Sequence, residues 1–448
     1  IVDGHVVQKV HDKVEFKVEV KVKVEEETHS PYSPYSPYSP HSPHLPKDII
    51  QGFIRPFNLS LPPLLRVGFI ETNNQEYIFM VDMHHIISDG VSIGIMIQDF
   101  IRLYQGMKLP LLRIQYNDFT RWQNKLFHSD VMQQQEEYWN KKFNNEQGVP
   151  LLTMPLDCQR PETMTFTGDT VTSTLTGELM EPLNRLAQEE SVTLNILLLA
   201  IYTLLVSRYS GQEEVVIGSL VSGRPHPDLE EVIGLFVNFL PIRNAVDDGL
   251  AFKEFLGSVK NSALAAYQNQ DYPFEEMVKQ ADLPDYPAIN AVNPLFSTMF
   301  LFHSESDRTF EGRMETLEFY DVEFKDATST LDFKLDVYPI LSPEPELYCR
   351  LEYNTNLFKK DTMEQFLNRF RQLVETVIAN PQQKLTDFQV FTETEEQQIS
   401  RKRESFELEE KTKVRLAAAA TFTAEPIQDY IVYWGNEYQM DIRVEFTP

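Results

Sequence analysis

The chain has 448 residues, 42 % of them hydrophobic, with 30 Phe and 19 Tyr. That is more than one ordinary core holds, so two lobes or domains with extensions are expected. Forty basic against 67 acidic residues leave a net charge of −27, which argues against nucleic acid, whose binding needs clustered Lys and Arg. The acidity fits a soluble, cytoplasmic enzyme. The two cysteines, Cys158 and Cys349, are far apart and no Cys-x-x-Cys occurs, which argues against a disulfide framework or a zinc knuckle. The sequence opens on Ile1-Val-Asp-Gly with neither initiator Met nor signal peptide and reads as a segment of something larger.

In chain order, residues 14–25 alternate strictly, with Val14, Phe16, Val18, Val20, Val22 and Val24 against charged neighbours. That pattern predicts a half-buried strand. From Ser30 to His44 a three-residue Ser-Pro-Tyr/His repeat follows. Proline at every third position removes backbone donors and favours an extended, solvated linker, with a ligand for a proline-recognising module as the alternative. Residues 63–70 and 77–83 predict a hairpin through Asn73-Asn74. Residues 115–145 predict helix, with Trp122 and Trp139 as packing aromatics. Residues 155–168 read as a crossover between lobes.

From Asp169 the pattern restarts. A strand (170–175) precedes a helix (178–190), a long buried helix (194–209) and a buried strand (214–221). The uncharged run Ser191–Ser207 is too short for a membrane span. Helix is then expected over 252–268, strands over 295–302, 332–338 and 347–354, and helix over 360–378. Strands and helices alternate twice over, which predicts a two-lobe α/β architecture.

The chemistry concentrates at residues 81–90, Val-Asp-Met-His-His-Ile-Ile-Ser-Asp-Gly. The sequence before it reads as a strand and that after it as a helix, with Ile93, Ile97, Phe100, Ile101 and Tyr104 on one face. Successive strand residues point to opposite sides, so at most one of His84 and His85 handles substrate. His85, nearer the turn, is the candidate base or amine-orienting group; His84 is assigned a structural role. Asp89 reads as a helix cap or arginine partner, for which Arg66 is one available residue. Gly90 permits close backbone approach, and its amide at a helix N-terminus could donate to an oxyanion. His84, His85 and Asp89 lack a further strong ligand, so no metal is expected.

His84-His85-Ile86-Ile87-Ser88-Asp89-Gly90 resembles the His-His-x-x-x-Asp-Gly signature of the condensation domains of nonribosomal peptide synthetases. Tyr116-Asn-Asp-Phe-Thr-Arg-Trp122, Arg160-Pro161 with Gly168-Asp169, Gly223-Arg224-Pro225, Ile233-Gly-Leu-Phe-Val-Asn238, Asn269-Gln-Asp-Tyr-Pro-Phe-Glu275 and Asn293-Pro-Leu-Phe296 are similar to further elements of that family, in order. The family's Arg-His-Glu-x-Leu-Arg-Thr segment, whose arginine would pair with the motif aspartate, is not in the sequence. The basic residue usual a few positions before the Asn-Pro-Leu element is replaced by Tyr286-Pro-Ala-Ile-Asn-Ala-Val292.

The resemblance implies two chloramphenicol-acetyltransferase-like lobes forming a pseudo-dimer with a channel between them. These would span 1–168, with residues 29–46 as an insertion, and 169–400; 401–448 would be a linker or the start of a following segment. Residues 421–434 look like the beginning of another synthetase segment. The implied reaction joins a carrier-bound acyl or peptidyl thioester to the amine of a carrier-bound aminoacyl thioester. Both substrates would be presented on 4'-phosphopantetheine, with no cofactor bound directly. Asn238, Asn269 and Asp271 would shape the channel, and the partners would be upstream and downstream peptidyl carrier domains and an adenylation domain. An epimerisation domain, which carries the same signature, and an inactive docking scaffold are the alternatives.

Overall fold

The computed structural model describes residues 14–24, 52–72, 77–145, 148–161, 163–283, 293–303, 313–314, 317–318, 328–340 and 345–411. The Ser-Pro repeat, the Asn73-Asn74 turn and residues 421–434 lie outside the described residues. The chain forms two compact units, neither of them one continuous stretch. The first comprises Ile1–Lys125, Ser222–Val237 and Thr309–Val322; the second comprises Leu126–Val221, Asn238–Arg308 and Glu323–Pro448.

In the first unit β1 (Glu19–Val24), β2 (Leu65–Thr72) and β3 (Tyr77–Met83) form a three-stranded sheet in that order. β1 runs parallel to β2, and β2 and β3 form the expected antiparallel pair with Arg66 opposite Asp82. The alternation over 14–25 overstates β1. Residues 14–18 are not strand, and Val14, Phe16 and Val18 are 41 %, 43 % and 45 % exposed, because the pairing with β2 begins only at Glu19.

Helix α1 (Gly90–Tyr104) follows β3 after a short turn. Its Phe100 stacks on Phe79 of β3 with ring centroids 4.7 Å apart, while Ile93 and Tyr104 remain exposed. Helix α2 (Tyr116–Leu126) buries Phe119 against Leu229, Val232 and Phe236. Trp122 on the same helix touches Phe119 yet is 45 % exposed, so the expected packing role belongs to Phe119 instead. A two-residue pair, β8 (Arg313–Met314) with β9 (Leu317–Glu318), completes this unit.

The second unit is a six-stranded mixed sheet. Its strands are β4 (Gly168–Leu175), β5 (Glu214–Val221), β6 (Asn238–Ala245), β7 (Thr298–Phe302), β10 (Phe333–Ile340) and β11 (Glu346–Asn354), in the order β4-β11-β10-β7-β5-β6. β7 is parallel to both β5 and β10; the outer pairs are antiparallel.

Helix α3 (Asp130–Phe143) buries Trp139, as expected, and α4 is Gly177–Glu189. Helix α5 (Leu194–Ser210) is apolar all round, and that fits its position: nearly every residue from Ile196 on is buried. It packs beside α6 (Phe252–Gln268) and α8 (Lys360–Ala379), where Tyr202 meets Phe300, Phe333, Phe366 and Phe370. Among the described residues, no single helix is long and apolar enough to cross a membrane. The sequence pattern missed β6, α7 (Phe274–Gln280) and α9 (Glu393–Lys411), and it began β7 three residues early, at 295.

Candidate active site

The site is built on the β3–α1 connection. β3 ends at Met83, and His84 caps a short 3₁₀ turn, His85–Ile87. Strand alternation therefore does not separate the two histidines; the turn does. The His84 Nδ1 accepts the Ile86 N–H at 3.0 Å, and Phe57 meets its ring edge-on at 6.1 Å. An acceptor Nδ1 puts the proton of the neutral ring on Nε2, so His84 is committed to holding the turn. His85 is exposed, and among the described residues no side chain is hydrogen-bonded to its imidazole. Both histidines line an open cleft of about 590 Å³.

At the other end of the turn stands Asp89, 1 % exposed. It caps α1 by accepting the Ser92 N–H at 2.8 Å and the Ser92 hydroxyl at 2.7 Å. The Phe236 N–H reaches its second oxygen at 3.0 Å. The partner that balances its charge is Arg224, which donates to both carboxylate oxygens at 3.0 and 3.3 Å and to the Ser92 hydroxyl at 3.0 Å.

Arg224 also donates to the Leu229 and Val232 carbonyls, each at 2.6 Å, and lies 4.0 Å over the Phe236 ring. The single Ser92 hydroxyl proton lies between Asp89 and the Gly234 carbonyl, which is 2.8 Å from Oγ, so the two acceptors share it. A buried ion pair depends on how well its remaining hydrogen-bonding groups are met; here four donors converge on one carboxylate, while the Arg224 Nε–H is buried without a hydrogen-bond partner among the described residues. Next to it the Tyr116 hydroxyl donates to the Leu235 carbonyl at 2.7 Å; burial first, and the nearby Asp89 charge second, raise its pKa.

Two glycines let the backbone come this close. Gly223 has φ +63°, and a Cβ there would stand 1.8 Å from the Phe236 carbonyl oxygen; at Gly234 it would stand 2.1 Å from the Tyr116 ring. Gly90 differs: its φ lies outside the left-handed region, and a Cβ would meet nothing within 4 Å. Its amide belongs to the first turn of α1, where N–H groups have no intrahelical partner.

Arg66 is not the partner of Asp89. It pairs with Asp82 across the hairpin at 2.5 Å, donates to the Arg55 and Pro56 carbonyls at 2.6 and 2.9 Å, and lies 3.6 Å over the Phe57 ring. It thereby fixes one wall of the cleft.

Asn238, Asn269 and Asp271 belong to the second unit, and each is hydrogen-bonded within it. The Asn238 amide donates to the Gln270 and Tyr272 carbonyls, both at 2.8 Å, and its oxygen accepts the Phe274 N–H at 3.2 Å. The Asn269 side chain donates to the Ala265 carbonyl at 2.8 Å, and its own carbonyl accepts the Trp139 indole N–H at 2.9 Å. Gln135 clamps Asp271 through its carboxylate at 3.2 Å and its backbone N–H at 3.0 Å. These three shape a loop through the backbone.

Arg224, Ser92 and Gln135 escaped the sequence reading as functional residues. Only Arg224 left a signal there, as the charged member of Gly223-Arg224-Pro225. Among the described residues, no group of three or more His, Cys, Asp or Glu could hold a metal ion.

Comparison with known proteins places the chain in a family. The family model described as Condensation domain matches residues 2–400. Tyrocidine synthase 3 of Brevibacillus parabrevis is 37 % identical over 398 residues, which cover 89 % of this chain and 6 % of that protein. Gramicidin S synthase 2 of Brevibacillus brevis is 37 % identical over 402 residues, 89 % of this chain and 8 % of that one. The chain thus spans less than a tenth of the length of either relative.

Among solved structures, the X-domain from teicoplanin biosynthesis superposes with a TM-score of 0.68 at 21 % identity, covering 78 % of this chain and 79 % of that one. The holo-AB3403 four-domain nonribosomal peptide synthetase bound to AMP and glycine also gives 0.68 at 21 %, covering 78 % and 27 %. At that identity the likeness concerns the fold, which is the α/β, chloramphenicol-acetyltransferase-like one that the sequence led us to expect.

Proposed function

The chain belongs to the condensation-domain family of the nonribosomal peptide synthetases, and from that premise we propose that it forms an amide bond between two carrier-bound substrates. The amine of an aminoacyl thioester attacks the carbonyl carbon of an acyl or peptidyl thioester. A C–N bond forms, the C–S bond breaks, and the nitrogen gives up a proton while the departing thiolate takes one. Substrates arrive on the 4'-phosphopantetheine of upstream and downstream peptidyl carrier domains, beside an adenylation domain, in the cytoplasm.

The observation that carries this reading is the placement of His85: exposed, on the wall of an open cleft, in a turn clamped at both ends by His84 and Asp89. An α-amine titrates at about 7.7–8.0, so a useful fraction is neutral at pH 7, and its initial deprotonation costs only about 1.4 kcal/mol per pKa unit. The larger tasks are to align the amine and to take its proton as the C–N bond forms. A neutral imidazole suits both. The Gly90 amide, in the first turn of α1, is the donor we assign to the thioester oxyanion. Asp89 holds that helix start in place and stays out of the proton transfer.

The test supplies loaded donor and acceptor carriers and follows dipeptidyl thioester by mass spectrometry with chiral analysis of the product. His85→Ala should fold and lose roughly 10²–10⁴-fold in turnover, with partial rescue as pH rises from 6.5 to 9 and more amine is neutral. Full turnover in folded His85→Ala would refute the assignment. Inversion at an α-carbon without amide formation would instead point to epimerisation.

A further inference from the structure

The His84 N–H donates to the Leu64 carbonyl at 3.0 Å, which extends the β2–β3 pairing by one residue. That bond fixes the backbone of His84 but leaves its side-chain torsions open. The Nδ1 bond to the Ile86 N–H is a single contact, and rotation of the ring about Cβ–Cγ would break it. Standing against that rotation is the Phe57 ring, edge-on to His84 at 6.1 Å. Phe57 lies outside any helix or strand, so no backbone ladder holds it. Arg66 does: its guanidinium lies 3.6 Å over the Phe57 ring and donates to the Arg55 and Pro56 carbonyls at 2.6 and 2.9 Å. The guanidinium is itself pinned by Asp82, which stands opposite Arg66 across the hairpin and two residues before His84. At 13 % and 17 % exposure this pair is only weakly screened by solvent.

We propose that Arg66 is a positioning residue for the histidine turn, acting through Phe57 to hold the His84 ring and, through that ring's bond to Ile86, the place of His85. Arg66 is not among the side chains that line the cleft, so it acts from behind the wall. The turn is then anchored on both sides by an arginine–aspartate pair, Arg66–Asp82 before it and Arg224–Asp89 after it. The two pairs divide the work: Arg224 holds a helix start, and Arg66 holds the orientation of an imidazole. Arginine suits this task and lysine does not, because one planar fork binds a carboxylate and two carbonyls while its face covers a ring. The inference rests on the reading of His85 as the group that takes the proton.

The experiment compares Arg66→Met, Arg66→Lys and Phe57→Leu in the full chain. Hydrogen exchange at the Ile86 amide reads the His84 contact without any substrate. In each variant it should quicken by about tenfold, the loss of one hydrogen bond, while the paired amides of β2 and β3 keep their rates. In the carrier assay kcat should fall by about tenfold to a hundredfold with KM little changed. Because the two residues act in series, the double variant Arg66→Met/Phe57→Leu should lose no more than Phe57→Leu alone. Phe57→Leu leaves the Arg66–Asp82 pair in place, so it reads the same contact where Arg66→Met does not fold. Unchanged Ile86 exchange in a folded variant, a loss confined to KM, or additive losses in the double variant would overturn the inference. An unmutated chain that forms no amide, with Ile86 responding as expected in the variants, would sink the amide-forming reading alone.

Discussion

The pair Asp89–Arg224 offers the sharpest perturbation. Arg224→Met keeps an unbranched stem but removes the guanidinium, and with it the contact over the Phe236 ring and the bonds at 3.0 and 3.3 Å to Asp89. Asp89 would retain three donors, the Ser92 N–H and hydroxyl and the Phe236 N–H, yet its charge would be buried without a counter-ion. Removing one member of a buried pair costs about 3–5 kcal/mol. Asp89→Asn should cost less, about 1.5–3 kcal/mol, because an amide oxygen can still cap α1 and the guanidinium keeps the Leu229 and Val232 carbonyls. The double variant leaves neither charge stranded, so its cost should fall short of the sum by about 2 kcal/mol. Hydrogen exchange at the amides of residues 90–96 reads the opening free energy of this helix start directly. A cost below about 1 kcal/mol for Arg224→Met, or additivity within about 0.5 kcal/mol, would refute the argument that the pair anchors α1.

Gly90→Ala should leave the helix intact or firmer by up to about 1 kcal/mol, because open space surrounds the new methyl, and yet lower turnover by crowding the amide that we assign to the thioester oxyanion. Unchanged turnover in the carrier assay would remove Gly90 from the mechanism. Cys349 is buried and its thiol is pushed up to about 12, whereas Cys158 is exposed. A thiol reagent should therefore titrate one group in the folded chain and two after denaturation; two in the folded chain would contradict the burial. The Glu395 carboxyl is held down to about 2, first by the Arg369 guanidinium and then by the Thr392 N–H. A carboxyl whose folded pKa lies below its unfolded value of about 4.3 stabilises fully above that value and loses the contribution as pH falls toward 2. α9 should therefore resist pepsin at pH 4 and loosen below it. Arg369→Ala should move that release upward; an unmoved profile would show that the pair does not hold α9.

Elements written as dense apolar periodicity were legible in the sequence. Strand Glu214–Val221 and helix Phe252–Gln268 stand where the pattern put them, because burial on the sheet and burial along one helix face leave unmistakable spacings. β6 was missed because Asn238-Phe-Leu-Pro-Ile-Arg-Asn-Ala245 mixes Pro and Arg into a strand. Arg243 is nonetheless buried there, pairing with Glu214 and donating to the Lys142 and Gly148 carbonyls, contacts that no local window can display. The opposite error at residues 14–18 has a matching cause: period-two alternation states what a strand could bury, and among the described residues no partner strand pairs before Glu19.

The candidate site divides along the same line. The residues to which we assign the chemistry could be singled out by adjacency, since His84, His85, Asp89 and Gly90 stand almost side by side in the chain. Anchoring was not, since Arg224 joins Asp89 from 135 positions away. The connection between them explains why the two histidines are not interchangeable. His84 closes the turn at one end through the Ile86 N–H, Ser88 returns its own N–H to the His85 carbonyl at 3.2 Å, and Asp89 closes the other end through α1. Between two fixed ends, both rings line the cleft, and the His85 ring is the one that holds no bond of the turn. A catalytic imidazole must be both accessible and held to within a fraction of an ångström. In the mechanism we propose, accessibility comes from the turn, and precision comes from a buried carboxylate that stays out of the proton transfer.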